Sequence, residues 1–299
     1  PDGILNFLPF EALIGDDGKY LVEQFDVRYV QSAQVKKLIE NRSYGARPKE
    51  LLAMGGATYE PMNVSAARVS NADELVMLRN VAHENTMGNR SQRKIYASLG
   101  FRKLDYLPGT LEEVNAISKM FPNSSSLITG GEMTEPFVKS ISRSNELAKY
   151  RIVHLATHGF AIPEVPELSG IAMCIPSTEQ GGEDGYLTSP EIAKLGLRAD
   201  LVVLSACETA LGKVYGGEGV AGLTQALLVG GANRAIVSLW PVNDLGTMHF
   251  MKGFYSLVKN EGKDFDEAIN IMKRKFIRGD FGPELRHPDI WAPFIHYGK

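Results

Sequence analysis

Short, continuous apolar runs punctuate this chain, and from residue 107 onward they alternate with stretches of helical spacing. Runs such as Leu51-Leu-Ala-Met54, 127–128, 151–157, 171–175, 201–206 and 234–240 are too short for buried helices and rich in β-branched residues. They read as strands covered on both faces, as in a parallel sheet. Between them, helices are predicted over 111–121, 135–148, 220–229, 244–259 and 264–277. Pro108-Gly-Thr110, Thr134 and Gly230-Gly231 supply start and stop signals. Ser189 is expected to cap a helix opened by Pro190. Strands alternating with helices imply βαβ units, so the fold class is α/β with a mainly parallel sheet flanked by helices.

Upstream, the apolar segments 4–14 and 20–30, split by Gly15-Asp-Asp-Gly18, read as a hairpin. Ser32 opens a short helix through Ile39. Residues 57–105 are polar and mixed. They are expected to be an insertion, a partner-binding arm or a mobile region. The chain is therefore divided into a smaller accessory half, 1–105, and a second half, 106–299. It begins Pro1-Asp-Gly-Ile-Leu-Asn-Phe as if within a fold, so it is expected to be a piece of a longer protein.

Composition narrows the function classes. The 299 residues are 44% hydrophobic and 22% charged, with a formal net charge of −3, which gives no electrostatic case for nucleic acid or a membrane surface. The basic cluster Lys273-Arg274-Lys275 and Arg278 fits a solvated helix face. No apolar run approaches the ~20 residues of a membrane span. Two cysteines, Cys174 and Cys207, rule out a disulfide framework and fit a reducing compartment.

Two runs stop at chemically useful residues: Arg151-Ile-Val-His-Leu-Ala-Thr-His158-Gly159 and Leu201-Val-Val-Leu-Ser-Ala-Cys207-Glu-Thr. In open α/β sheets, function collects beyond the carboxyl ends of the strands. If the two strands are neighbours, about 4.8 Å apart, His158 and Cys207 face one crevice. Taken alone, Cys207 reads as a buried structural thiol and His158 as a satisfied core histidine. Together, at strand ends followed by loops, they read as a nucleophile and its base. The N–H groups of Gly159 and Cys207 are candidate oxyanion donors.

Other constellations carry less. His154 and His158 have a His-x-x-x-His spacing, but Leu155 stands where a zinc protease needs Glu, and the segment is a strand. No metal site or cofactor is expected. Cys174 reads as a packed thiol and His154 as structural. Gly217-Glu-Gly-Val-Ala-Gly222 matches a dinucleotide fingerprint formally but starts about ten residues beyond its strand, so a loop and helix start explain it better. Trp240 reads as core or pocket wall, and Asp244 as the N-cap of its helix or part of a specificity pocket.

His-Leu-Ala-Thr-His-Gly159, Leu187-Thr-Ser-Pro-Glu-Ile192, Leu-Val-Val-Leu-Ser-Ala-Cys-Glu-Thr-Ala-Leu-Gly212, Gly216-Gly-Glu-Gly219 and Ser238-Leu-Trp-Pro-Val-Asn-Asp244 together resemble a CHAT domain. So do Leu8-Pro-Phe-Glu-Ala-Leu13, Leu107-Pro-Gly-Thr-Leu-Glu-Glu-Val114 and His287-Pro-Asp-Ile-Trp-Ala-Pro-Phe294. These domains are caspase-like, related to separases, and often attached to tetratricopeptide repeats. The resemblance implies a cysteine endopeptidase with His158 and Cys207 as catalytic dyad and Gly159 in the oxyanion hole. It also implies a protein substrate, an upstream repeat or sensor domain that activates it, and a bacterial cytoplasmic role in defence or programmed death. Residues 1–105 would then resemble the inactive half of separase-type proteases. In related proteases with a basic preference an acidic residue often precedes the nucleophile. Here Ser205 and Ala206 stand there, leaving Asp244, Glu208, Glu183 and Asp184 as acidic candidates beside Trp240. The competing reading is a catalytically silent scaffold that docks a protein partner.

Overall fold

The computed structural model describes residues 5–6, 8–59, 96–97, 101, 104–162, 165–175, 183–205, 218–240 and 242–299, with the backbone alone at 218–220. Its strands are β1 (Lys49–Gly55), β2 (Ser125–Thr129), β3 (Tyr150–Ala156), β4 (Gly159–Phe160), β5 (Gly170–Ala172), β6 (Tyr186–Thr188), β7 (Leu201–Leu204), β8 (Arg234–Ser238) and β9 (Phe294–Gly298). The helices of eight residues or more are α1 (Ala33–Glu40), α2 (Pro108–Ser118), α3 (Glu135–Arg143), α4 (Glu218–Val229), α5 (Asp244–Asn260) and α6 (Phe265–Arg278).

Six strands form one sheet in the order β2-β1-β3-β7-β8-β9. The first five run parallel, and β9 closes the edge antiparallel to β8. The apolar runs are explained by burial on both faces. Leu52, Met54, Val153, Leu155, Val202, Leu204 and Val237 face one core shared with α1, α3 and α4. Leu51, Ala53, Ile152, Leu201, Val203 and Ile236 alternate with them and face α2, α5 and α6. A second, antiparallel sheet, β4-β5-β6, leaves the carboxyl end of β3. Strand β1, from before residue 105, lies between β2 and β3, so the main sheet draws on both sides of the expected division. From the polar stretch 57–105, Tyr96 and Phe101 are described. They join Phe160, Leu168 and Tyr186 in an aromatic cluster over the small sheet, with Tyr96 stacked on Tyr186 at 4.1 Å.

Several local expectations are corrected. Gly15–Gly18 does turn the chain, with Ile14 bridging Tyr20, but no hairpin strands flank it. A 3-10 turn at Phe10–Ala12 and a helix at Leu21–Gln24 stand there instead, the latter begun by Glu23 accepting from the Tyr20 N–H at 2.8 Å. Helix α3 stops at Arg143 rather than 148, because Asn145 enters the left-handed region at φ 61°. Strand β6 forms where the apolar pattern predicts none. Thr188, not Ser189, is the N-cap, with Glu191 returning to its N–H at 2.9 Å. Ser32 and Thr134 cap α1 and α3 as expected. Among the described residues, no helix is long and apolar enough to cross a membrane.

The N-terminal segment is tied in by charge. Glu11 is buried and bonds the Lys273 ammonium and the Tyr29 hydroxyl, and that hydroxyl accepts from the Phe10 N–H at 2.7 Å. Burial pulls the Lys273 pKa down, and the Glu11 carboxylate opposes that pull. Breaking such a pair from one side strands a buried charge. Lys273→Met is expected to cost about 3–5 kcal/mol of stability in urea titrations at pH 7. Lys273→Met combined with Glu11→Gln should recover most of it. A single-variant loss below about 1 kcal/mol would show that the pair is not needed.

Candidate functional site

Three adjacent parallel strands, β3, β7 and β8, end along one edge of the main sheet. Register fixes what stands there: Ile152 faces Leu201 and Leu155 faces Leu204, and the pairing continues as the Ser205 N–H reaches the Leu155 carbonyl at 3.2 Å.

At the end of β3 the chain passes into the small sheet. Thr157 Oγ1 donates to the Ala172 carbonyl at 2.7 Å and lies 2.6 Å from the Tyr59 hydroxyl. The His158 carbonyl accepts from the Ala172 N–H at 2.8 Å, and Gly159 pairs with Ile171. The His158 backbone is thus clamped where two sheets meet. Its side chain is buried, with Tyr59 packed on the ring at 5.0 Å between centroids. Nε2 lies 2.7 Å from the Asp105 carbonyl oxygen. A carbonyl only accepts, so Nε2 carries the hydrogen, and in the neutral ring Nδ1 carries the lone pair. The ring is thereby held in the tautomer a general base needs. The Asp105 oxygen is a main-chain atom of an exposed residue in the polar stretch, so no residue type in the sequence announces it.

Ser205 is buried beyond β7, its hydroxyl without a hydrogen-bond partner among the described residues. Cys207, Ala206, Glu208 and the opening glycine of Gly217–Gly222 lie outside the described residues. Beyond β8, Trp240 is half-buried, packs against both cores and donates its indole N–H to the Asp289 carbonyl at 3.0 Å. The cap of α5 is Asn243, whose Oδ1 accepts from the Gly246 N–H at 2.7 Å, which corrects the expectation for Asp244. Asp244 is exposed, and its Oδ2 accepts from the Gly109 N–H at 3.2 Å.

The remaining candidates face elsewhere. His154 Nδ1 is 3.0 Å from the Tyr255 hydroxyl and Nε2 2.9 Å from Glu113 Oε1, all buried against α2 and α5. The two histidines therefore contact different elements and do not converge on one ion. Cys174 is buried, its thiol donating to the Gly130 carbonyl at 2.9 Å and accepting from the Thr58 N–H at 3.2 Å. Burial pushes its pKa up, which lowers its thiolate content and reactivity.

Glu183 and Asp184 belong to the wall that carries β6. Lys139 Nζ lies 2.7 Å from Glu135, 2.5 Å from Glu183 and 2.7 Å from Glu191. Asp184 Oδ1 accepts from the Tyr186 N–H at 2.9 Å. Three carboxylates so close could ligate a cation, and the Lys139 ammonium already supplies one. Burial, with Glu183, Glu191 and Asp184 adding to it, pushes the Glu135 carboxyl up to about 9 against the pull of Lys139.

A family model described as CHAT domain matches residues 1–299. Tetratricopeptide repeat protein 28 of Mus musculus is 30% identical over 152 residues, which are 48% of this chain and 6% of that protein. The Homo sapiens protein of the same name matches to the same extent, so the alignments span only a small part of either relative's length. Among solved structures, the Saccharomyces cerevisiae separase–securin complex aligns over 98% of this chain and 15% of that one, with 14% identity and a TM-score of 0.47. The Arg-specific cysteine proteinase gingipain R aligns over 99% and 73%, with 11% identity and a TM-score of 0.38.

The Glu135 shift has a signed consequence. A carboxyl raised on folding binds its proton more tightly in the folded state. Its contribution is present below about pH 4.5 and is lost as pH rises toward about 9. Urea midpoints at pH 5, 7 and 9 should fall more steeply for the parent than for Glu135→Gln. Parallel pH profiles would show that Glu135 stays ionised throughout.

Proposed function

Because the chain belongs to the CHAT domain family, we propose that it is a cysteine endopeptidase whose Cys207 thiolate attacks a peptide carbonyl under control of His158. The supporting observation is the β3–β7 register: Leu155 faces Leu204, and His158 and Cys207 each follow three residues beyond. A thiol beside an imidazole that can take up its proton is the arrangement that generates a nucleophile.

The proposed chemistry is acyl transfer. The Cys207 proton passes to His158 Nδ1, and the sulfur adds to the scissile carbonyl. The N–H groups of Gly159 and Cys207 stabilise the oxyanion. Collapse breaks the C–N bond, and the imidazolium returns its proton to the departing amine. Water, deprotonated by the same imidazole, then hydrolyses the thioester and restores the thiol. The Asp105 carbonyl keeps the ring oriented through both halves, a role that needs no side-chain carboxylate. Ser205, Trp240 and Glu208 are the residues proposed to contact the substrate.

The substrate is a protein, and regulation by an attached repeat or sensor domain is part of the proposal. Its support is the likeness to two proteins that carry tetratricopeptide repeats in their name. The proposed location is the cytoplasm, where free thiols persist.

The test is digestion of a diverse peptide library by the full chain with its attached domains, read by mass spectrometry. Cys207→Ala and His158→Gln should each abolish the cuts, a loss of at least about 10³-fold, with thermal unfolding unchanged. Cuts that persist in Cys207→Ala would overturn the assignment. Intact substrates with every variant, with the activator present, would favour the scaffold reading.

A further inference from the structure

The carboxylate of Asp244, beyond the end of β8, accepts from the Gly109 N–H in the turn that follows the segment whose Asp105 carbonyl meets His158. That segment, 104–107, has no regular secondary structure, and Asp105 and Tyr106 are exposed. Leu104 packs on the aromatic cluster over the small sheet, and on the other side of Asp105 the chain is held by the turn that opens α2.

Two anchors follow within five residues. Thr110 Oγ1 donates to the Leu107 carbonyl at 2.6 Å and accepts from the Gly56 N–H at 3.0 Å, fastening the turn to the end of β1. Beside it, the Gly109 N–H donates to Asp244 Oδ2 at 3.2 Å, fastening the same turn to the start of α5. A Cβ on Gly109 would lie 2.3 Å from Asp244 Cγ, so only glycine lets the carboxylate reach this N–H. Asp244 is not needed to cap α5, since Asn243 does that. Its side chain is left to bridge α5 and the turn before α2.

We propose that Asp244 is a positioning residue for His158, acting through the Gly109 N–H to fix the Asp105 carbonyl on Nε2. The chain of contacts runs Asp244, Gly109, Asp105, His158, and links the ends of β1 and β3 with the start of α5. The consequence for catalysis rests on the peptidase reading. The effect on the ring does not, so the two can fail separately.

The ring can be read without any substrate. In protein carrying ¹⁵N-labelled histidine, two-bond ¹H–¹⁵N spectra distinguish the six imidazoles by tautomer, with His158 assigned by its loss in His158→Gln. The parent should show His158 as a single Nε2–H tautomer. Gly109→Ala and Asp244→Ala should each give averaged tautomers at His158 and leave His154 unmoved. Asp244→Asn, whose Oδ1 still accepts from the N–H, should restore the parent spectrum. Where the chain cleaves peptides, the first two variants should lower kcat at least about tenfold with KM little changed, and Asp244→Asn should not. A single, unaltered Nε2–H tautomer in both Gly109→Ala and Asp244→Ala would overturn the proposal. Altered tautomers in a protein that cleaves nothing would leave the positioning role standing and count against the peptidase.

Discussion

The structure turns on the parallel pairing of β3 with β7. A parallel ladder fixes register along its whole length, and a slip of one residue would exchange the two faces of a strand. Here both faces are close-packed, with Val153 and Leu155 to one core and Ile152 to the other, so a slip would put each side chain into a space shaped for another. That constraint sets which residues follow the two strand ends. It brings Ser205 to Leu155 and holds His158 at the point where the main sheet gives way to the small one.

Around that point the fold spends buried polar groups on position rather than on water. Glu11 and Lys273 pin the N-terminal segment to α6, while Glu135, Lys139, Glu183 and Glu191 knit β6 to α3. His154, two turns of the pleat before His158, is enclosed by Glu113 and Tyr255 and stiffens β3 against α2 and α5. Buried Glu11 lies beside Lys273, Glu135 beside Lys139 and Glu113 beside His154, as low-dielectric surroundings demand. The imidazole of His158 instead meets a main-chain oxygen, which sets its tautomer.

Much of this was legible in the sequence where a local pattern carried it. Apolar runs buried on both sides gave β1, β3, β7 and β8, and side-chain caps gave the starts of α1 and α3. His158 is legible in the sequence as a candidate because it ends an apolar run. What escaped was decided by tertiary contacts or by the backbone. β9 is an edge strand recruited antiparallel from the far end of the chain, and β1 enters the sheet between strands that come after it. Leu21–Gln24 is helical because Glu23 caps it, overriding a pattern that suited a hairpin. The Asp105 carbonyl and the Gly109 N–H belong to every residue type, so neither leaves a signature.

The central claim is that His158 governs the reactivity of Cys207. The direct measurement is the rate of alkylation of each cysteine by iodoacetamide across pH 5 to 9, resolved by peptide mass spectrometry, in the parent and in His158→Gln. Cys207 should react at least about tenfold faster than Cys174 at pH 6, where an unassisted thiol is almost wholly protonated, and that advantage should vanish in His158→Gln. Equal rates for the two cysteines, or a fast Cys207 indifferent to His158, would contradict the account.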